Sequence, residues 1–83
     1  MKTLDVLEKF IVTEIAAERD KKSLEPDEDL LGSGIIDSMA VMKLVMFLEE
    51  TFGIEVEDED IVPENFQNLN SIVEYVEQKM GNK

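Results

Sequence analysis

The sequence predicts a small all-α fold, a four-helix bundle of three long helices and one short helix, formed by a single domain over residues 1–83. Three stretches carry apolar residues at helical spacing, and segments rich in Pro, Gly or charge separate them. Although 34% of the residues are charged, the hydrophobic content of 43% follows a helical period, which favours a packed core over disorder.

The first helix is predicted over about residues 4–18. Leu4, Leu7, Ile11 and Ile15 recur at the spacing of one helix face, and Phe10 widens that face. A cluster of charged residues, Arg19 to Lys22, then ends the apolar pattern.

A long connection is expected over about residues 21–37, where Pro26, Gly32 and Gly34 oppose a continuous helix. Loops of this length in compact domains are usually functional or disordered. This one contains apolar side chains that can pin it to a core, namely Leu24, Leu30, Leu31, Ile35 and Ile36. We therefore expect an ordered loop.

The second helix is predicted over about residues 38–52, and Gly53 supplies its left-handed stop. Its apolar stripe follows the spacing i, i+3, i+4, i+7 and i+11, which places these residues on one face of a helix. The members of the stripe are Val41, Leu44, Val45, Leu48 and Phe52.

The C-terminal part of the chain predicts one short and one long helix. Pro63 prevents a long helix before residue 63, so the third helix must be short. The final helix is predicted over about residues 69–80, with Asn68 as its cap and Gly81 as its stop. Its stripe is Leu69, Ile72, Val73, Val76 and Met80.

Acidic residues dominate the composition: 20 Asp and Glu against 8 Lys and Arg give a net charge of −12. A nucleic acid would repel such a chain, whereas a basic protein surface would attract it. Without Cys, any thiol chemistry must come from a cofactor. The first ten residues lack a signal peptide's basic and apolar regions, and no apolar run reaches the length of a membrane span. We expect a cytoplasmic, monomeric protein.

Ser38 is the candidate functional residue because it stands where the long loop enters the second helix. The positive end of a helix favours a phosphate group through its free backbone N–H groups and its macrodipole. The local pattern alone favours a helix cap, since either Asp37 or Ser38 can accept a hydrogen bond from the first turn and such caps are common.

The residues around Ser38 resemble those of the acyl carrier protein family. The shared features are Leu31–Gly32, the run Gly-Ile-Ile-Asp-Ser-Met at residues 34–39, the helix ending at residues 49–54, and Pro-Glu-Asn-Phe at residues 63–66. The family hallmark is Asp-Ser-Leu at the start of the second helix, and Met39 stands here in place of Leu. The resemblance extends over about residues 4–80 and implies the family's four-helix bundle.

That resemblance implies a covalent cofactor on Ser38. The group would be 4′-phosphopantetheine, taken from coenzyme A and attached as a phosphodiester by a phosphopantetheinyl transferase. Asp37 would help the transferase hold Mg²⁺ and the donor at Ser38, in addition to capping the helix. The chain would then carry acyl groups as thioesters in fatty-acid, polyketide or related biosynthesis.

Two alternatives remain open. Ala40 and Lys43 stand where carriers of bulk fatty-acid synthesis usually have acidic residues, and residues 34–39 equally resemble D-alanyl carriers and other specialised carriers. The cargo is therefore acyl or, alternatively, aminoacyl or peptidyl. The second alternative is an acidic helical interaction module without a prosthetic group.

A second stripe on the same helix is the candidate docking face. Met39, Met42 and Met46 lie at i, i+3 and i+7, apart from the core stripe. A row of Met is more often peripheral core, but flexible thioether side chains also suit a surface that binds several partners. Further docking candidates are Lys43, Glu49 and Glu50. The expected partners are the transferase, a loading ligase and downstream synthases or transferases with basic or apolar surfaces.

Catalysis and metal binding by the polypeptide itself are not expected. The chain has no His and no Cys, and no Lys lies next to Ser38 to activate its hydroxyl, so we do not predict an enzyme. Asp58 and Asp60 match the first two ligand positions of a calcium-binding EF-hand loop. Val62 and Pro63 then occupy positions that need an oxygen ligand and Gly, so the calcium motif fails.

Overall fold

The computed structural model describes residues 3–15 and 24–81, and helices account for most of them. The helices are α1 (Thr3–Phe10), which continues as a π-helical turn (Ile11–Ile15), α2 (Ser38–Phe52), α3 (Pro63–Phe66) and α4 (Leu69–Gly81), with a 3₁₀ turn at Asp58–Asp60. No strand occurs in these two described ranges. The predicted all-α fold of three long helices and one short helix is confirmed. The predicted end of the first helix and start of the long loop, residues 16–18 and 21–23, lie outside the described residues.

Local hydrogen bonds determine where α2 begins and ends. Asp37 caps its N-terminus, because Asp37 Oδ1 accepts a hydrogen bond from the Ala40 N–H at 2.8 Å. At the other end, Gly53 adopts a left-handed conformation with φ of 67° and donates its N–H to the Glu49 carbonyl. The helix therefore occupies residues 38–52, the range that the sequence predicts.

The last helix is one residue longer than the sequence indicates. Its cap is Asn68, whose Oδ1 accepts a hydrogen bond from the Ser71 N–H at 2.8 Å. Gly81 was predicted as the stop, but it is the last helical residue. Positive φ angles occur at Gly34 and Gly53 and not at Gly81, so Gly81 does not form the left-handed turn that ends a helix.

The core lies between α1, α2 and α4, and the apolar stripes predicted for these helices supply it. The buried residues of the helices are Leu7, Ile11, Val41, Leu44, Val45, Leu48, Phe66, Leu69, Ile72, Tyr75 and Val76. Leu4, Ile15, Phe52 and Val73 are half-buried at the edge of this core. Met80, predicted as part of the final stripe, is exposed in the last turn of α4.

The loop before α2 is anchored to the rest of the molecule along its described length. Leu24, Leu30, Ile35 and Ile36 are buried in the core. Backbone hydrogen bonds reinforce them: the Leu30 N–H donates to the Gln67 carbonyl at 2.8 Å, and the Asn70 N–H donates to the Pro26 carbonyl at 3.0 Å. The loop therefore has a fixed position against the α3–α4 junction, and this holds the start of α2.

Candidate functional site

Ser38 is the first residue of α2, and its side chain is exposed to solvent. The two residues that lead into it, Ile35 and Ile36, are buried, and the Ile36 N–H donates to the Leu30 carbonyl at 3.0 Å. A serine hydroxyl is thus presented at the surface by backbone that is fixed to the core.

The helix cap belongs to Asp37 and not to Ser38. Asp37 Oδ1 takes the hydrogen bond from the Ala40 N–H. Within the part of the chain that the structure describes, no hydrogen bond involves Ser38 Oγ. The hydroxyl is therefore available to a reagent from solvent, while the cap stabilises the helix next to it.

The local charge at Ser38 differs from that of the whole chain. The first turn of α2 carries no acidic side chain, although the chain has a net charge of −12. The free N–H groups and the macrodipole at this helix end favour an anionic group. Asp37, the adjacent carboxylate, directs one oxygen to the Ala40 N–H. A phosphodiester on Ser38 Oγ is compatible with this arrangement.

An open apolar groove of about 400 Å³ lies directly beside Ser38. One wall comes from α2 and the end of the long loop, and the other comes from the segment that leads into α3. The lining residues are Leu31, Ser38, Val41, Met42, Ile61, Val62, Pro63 and Phe66. The groove is not among the features that the sequence predicts. A sign of it in the sequence is the apolar pair Ile61 and Val62, which belongs to no helical stripe.

The methionine row is a surface feature. Met39, Met42 and Met46 are 81%, 51% and 60% exposed, so a peripheral-core role for these residues is wrong. Met42 also forms part of the groove beside Ser38. Exposed apolar side chains at this density are typical of interaction sites, and their docking role stays a prediction.

The three charged docking candidates differ in their surroundings. Lys43 is exposed and its Nζ donates to the Glu14 carbonyl at 3.3 Å, and Glu50 is exposed near the end of α2. Glu49 is half-buried, and its Oε2 accepts a hydrogen bond from the Val56 N–H at 2.9 Å. Glu49 therefore holds the segment after α2 in place, a contact that the sequence does not indicate.

A polar cluster joins the 3₁₀ turn to α4. The Tyr75 hydroxyl donates to Asp60 Oδ2 at 2.8 Å, and Lys79 Nζ lies 3.6 Å from the same oxygen. The hydrogen bond from Tyr75 lowers the pKa of Asp60, while burial and the Asp60 carboxylate raise the pKa of Tyr75 well above its usual value of 10.0. In the sequence, Asp60 stands out only as a position of the failed calcium motif, and Tyr75 matches no predicted stripe or site.

Two further site types are not found in residues 3–15 and 24–81. No group of three or more His, Cys, Asp or Glu side chains there is arranged to hold a metal ion. None of the helices in those ranges combines the length and the apolar character that crossing a membrane requires.

Comparison with known proteins yields three similarities. Residues 11–76 match the family described as phosphopantetheine attachment site. An acyl carrier protein of Phytoplasma mali (strain AT) is 32% identical over 76 residues, which is 92% of this chain and 86% of that protein. A chain in a crystal structure described as that of an FAD-dependent dehydrogenase superposes with a TM-score of 0.76 at 26% identity, covering 84% of this chain and 97% of the other.

Proposed function

This chain belongs to the acyl carrier protein family, and on that premise we propose that it carries acyl groups as thioesters on a 4′-phosphopantetheine arm attached to Ser38. The observation that carries the proposal is the exposed Ser38 hydroxyl at the capped start of α2, inside the matched residues 11–76. The polypeptide contains no Cys, so a carrier of thioesters needs a thiol from elsewhere. The arm, when bound, supplies that thiol.

The residues around Ser38 fit such an arm. The N-terminal N–H groups of α2 favour the phosphate, and the first turn inside α2 adds no acidic side chain to the adjacent Asp37. Asp37 keeps the first turn folded through the Ala40 N–H. We assign Asp37 a second task during attachment, which is to help a transferase hold Mg²⁺ near Ser38 Oγ.

The proposed mechanism is tethering. A covalently attached group reaches the active site of a docked enzyme at high effective concentration, and the chemistry is left to that enzyme. Ser38 is anchored by buried loop residues and by a helix, so the attachment point itself stays fixed. The chain has no His or Cys to act as a base or nucleophile, in keeping with a carrier that is not itself an enzyme.

Docking is proposed to use the exposed methionines of α2. Met39, Met42 and Met46 follow Ser38 along one side of the helix, so an enzyme that takes the arm would meet them. Thioether side chains adapt to surfaces of different shape, which suits a carrier that serves several enzymes in turn. The net charge of −12 favours partners that add basic residues around an apolar contact.

The apolar groove favours an acyl cargo. Its lining, apart from Ser38, is entirely apolar, and each CH₂ group buried there contributes about 0.8 kcal/mol. A second candidate, an aminoacyl or D-alanyl carrier, draws on the Asp-Ser-Met run and on Ala40 and Lys43 in place of acidic residues. The intact mass of the protein purified from its own cells, with cargo attached, distinguishes the two.

The attachment site is tested by enzymatic loading. Incubation with coenzyme A, Mg²⁺ and a broad-specificity phosphopantetheinyl transferase is expected to add one arm, and fragment mass spectrometry is expected to locate it on Ser38. Ser33→Ala is the matched control, because Ser33 is a second exposed serine, five residues earlier in the loop that leads into Ser38. It is expected to load fully, and Ser38→Ala is expected not to load.

Two outcomes would contradict the proposal in different ways. Full modification of Ser38→Ala would mean that the arm is attached elsewhere. A folded wild-type protein that gains no mass would favour the interaction module without a prosthetic group.

A further inference from the structure

One wall of the groove beside Ser38 is fixed to α4 at Asp60. Asp60 immediately precedes Ile61, Val62 and Pro63, which line the groove. Its side chain accepts the hydrogen bond from the Tyr75 hydroxyl at 2.8 Å. The start of this wall is therefore held by a side chain that lies outside the groove.

Asp60 is also connected to the far side of the same wall. The Asp60 carbonyl accepts hydrogen bonds from Asn65 Nδ2 at 2.8 Å and from the Val62 N–H at 3.0 Å. Lys79 Nζ lies 3.6 Å from Asp60 Oδ2 and adds a charge interaction. Any displacement of Asp60 from α4 would thus be transmitted to residues 61–66.

Tyr75 contacts the other end of the wall through its ring. The rings of Tyr75 and Phe66 are 6.0 Å apart between centroids and tilted by 50°. Phe66 is buried and lines the groove. A single α4 residue, 7% exposed, therefore holds residue 60 by its hydroxyl and residue 66 by its ring.

The opposite wall, on α2, has no comparable attachment. The short helix α3 packs mainly against α4 rather than α2. Within the described residues, no hydrogen bond joins α2 to residues 61–66. The side chains that face each other across the groove include Met42 on α2 and Val62, which is 36% exposed. The width of the groove therefore depends on how firmly residues 60–66 are held to α4.

We propose that the hydrogen bond between Tyr75 and Asp60, supported by Lys79, is a latch that sets the width of the groove beside Ser38. This inference rests on the proposed carrier function, because the groove acts on the apolar part of a cargo attached at Ser38. Tyr75 and Asp60 are positioning residues, since neither lines the groove. With the latch closed, the groove walls stay close enough to hold an apolar chain. With the latch broken, residues 61–66 move away from α2, and the wider groove holds the apolar chain less well.

Hydrogen exchange of the protein without its arm tests the latch directly. Tyr75→Phe removes the hydroxyl and keeps the ring that contacts Phe66. The amides of Ile61 and Val62 and of residues 64–66 are expected to exchange about fivefold faster, the factor that corresponds to one hydrogen bond of ordinary net strength; Pro63 has no amide hydrogen. Glu59→Gln is the matched control, because it changes an exposed carboxylate of the same 3₁₀ turn. It is expected to leave the exchange unchanged.

A double-variant comparison separates the latch from general destabilisation. Asp60→Ala is expected to accelerate the same amides, and the double variant with Tyr75→Phe is expected to be no faster than Asp60→Ala alone. The amides of Leu7 and Ile11 in the core serve as reference. Equal acceleration there would mean that Tyr75 only stabilises the whole fold, and the latch would be wrong.

The effect on cargo is tested with octanoyl-coenzyme A as the donor for the transferase. In the wild type, the octanoyl group is expected to raise the melting temperature above that of the protein with the bare arm, because the chain fills the groove. In Tyr75→Phe, the octanoyl group is expected to raise the melting temperature by less. Hydroxylamine is also expected to cleave the thioester faster, because the cargo is held less firmly in the groove. Glu59→Gln is expected to keep the wild-type increment.

The proposed carrier function and the latch can each be wrong without the other. If Ser38 accepts no arm, the proposed function is wrong, and the exchange experiment still tests the latch. If Ser38 loads normally while exchange at residues 61–66 and the octanoyl increment are the same in wild type and Tyr75→Phe, only the latch is wrong.

Discussion

At the start of α2, Asp37 and Ser38 perform different tasks. Asp37 Oδ1 accepts the N–H of Ala40, which satisfies one of the helix's free donors. The cap therefore does not need the Ser38 hydroxyl, which stays exposed. An ester oxygen is a weaker hydrogen-bond acceptor than a hydroxyl oxygen, so a serine that also capped the helix would cap it less well once modified. If Ser38 carries the arm, as we propose, leaving the cap to Asp37 allows loading without weakening α2.

Substitutions at Asp37 test this division. Asp37→Ala is expected to lower the free energy of unfolding by about 1 kcal/mol, the usual loss for a removed cap, measured as a shift in urea midpoint. Asp37→Asn keeps a cap of similar strength and is expected to leave the midpoint nearly unchanged. If Asp37 also assists the transferase, Asp37→Asn will load more slowly than wild type. Wild-type loading of Asp37→Asn would leave Asp37 as a cap only.

At the level of elements, the sequence predicts what local signals determine. α2 could be predicted because its cap, its stripe and Gly53 all lie within or next to the helix. The groove could not be predicted, because its walls come from segments that meet only after folding, such as Leu31, Met42 and Val62. The pairing of Tyr75 with Asp60 was overlooked for a similar reason, since it joins α4 to a turn 15 residues earlier.

The methionine row was ambiguous in sequence for a different reason. The helical period indicates that the two stripes lie on different sides of α2, but it does not indicate which other elements cover each stripe. The structure covers the stripe that contains Leu44 and Leu48 and leaves Met39, Met42 and Met46 exposed. Exposure depends on the placement of the other helices, which no local pattern of α2 contains.

Charged substitutions in the row test docking against a structural role. Met42→Glu and Met46→Glu are expected to change the free energy of unfolding by less than about 1 kcal/mol, because both side chains are more than half exposed. Each is expected to slow loading or cargo transfer by removing apolar contact with the partner. The measurements are denaturation midpoints and initial rates for each variant.

Leu44→Glu is the control on the same helix. Its side chain is 0% exposed, so a carboxylate there is expected to cost several kcal/mol and to unfold the domain. Full stability together with wild-type rates in Met42→Glu and Met46→Glu would mean that this face takes no part in docking. Unfolding of those two variants would assign the row to the core.

For the whole molecule, the main electrostatic feature is an excess of negative charge. The chain has twenty acidic and eight basic residues, and its described part extends over only 38 × 27 × 21 Å. Within residues 3–15 and 24–81, Lys79 forms an ion pair with Asp60. One partly exposed pair of this kind offsets little of the excess negative charge. A domain of this size has a small margin of stability, so repulsion among its carboxylates weighs noticeably in the balance.

Salt is therefore expected to raise the melting temperature of the isolated domain. The Debye length is about 30 Å at 0.01 M ionic strength and about 8 Å at 0.15 M, so repulsion that spans nearly the whole molecule at low salt is confined to near neighbours at physiological salt. Scanning calorimetry across this range, with NaCl and then MgCl₂ at equal ionic strength, gives the measurement.

A variant with Asp58→Asn, Glu59→Gln and Glu64→Gln neutralises three exposed carboxylates and is the control. It is expected to melt higher than wild type at 0.01 M, roughly the ionic strength at which screening is weakest, and to gain less from added salt. A wild-type melting temperature that stays flat or falls over this range would show that charge repulsion does not limit the stability of this fold.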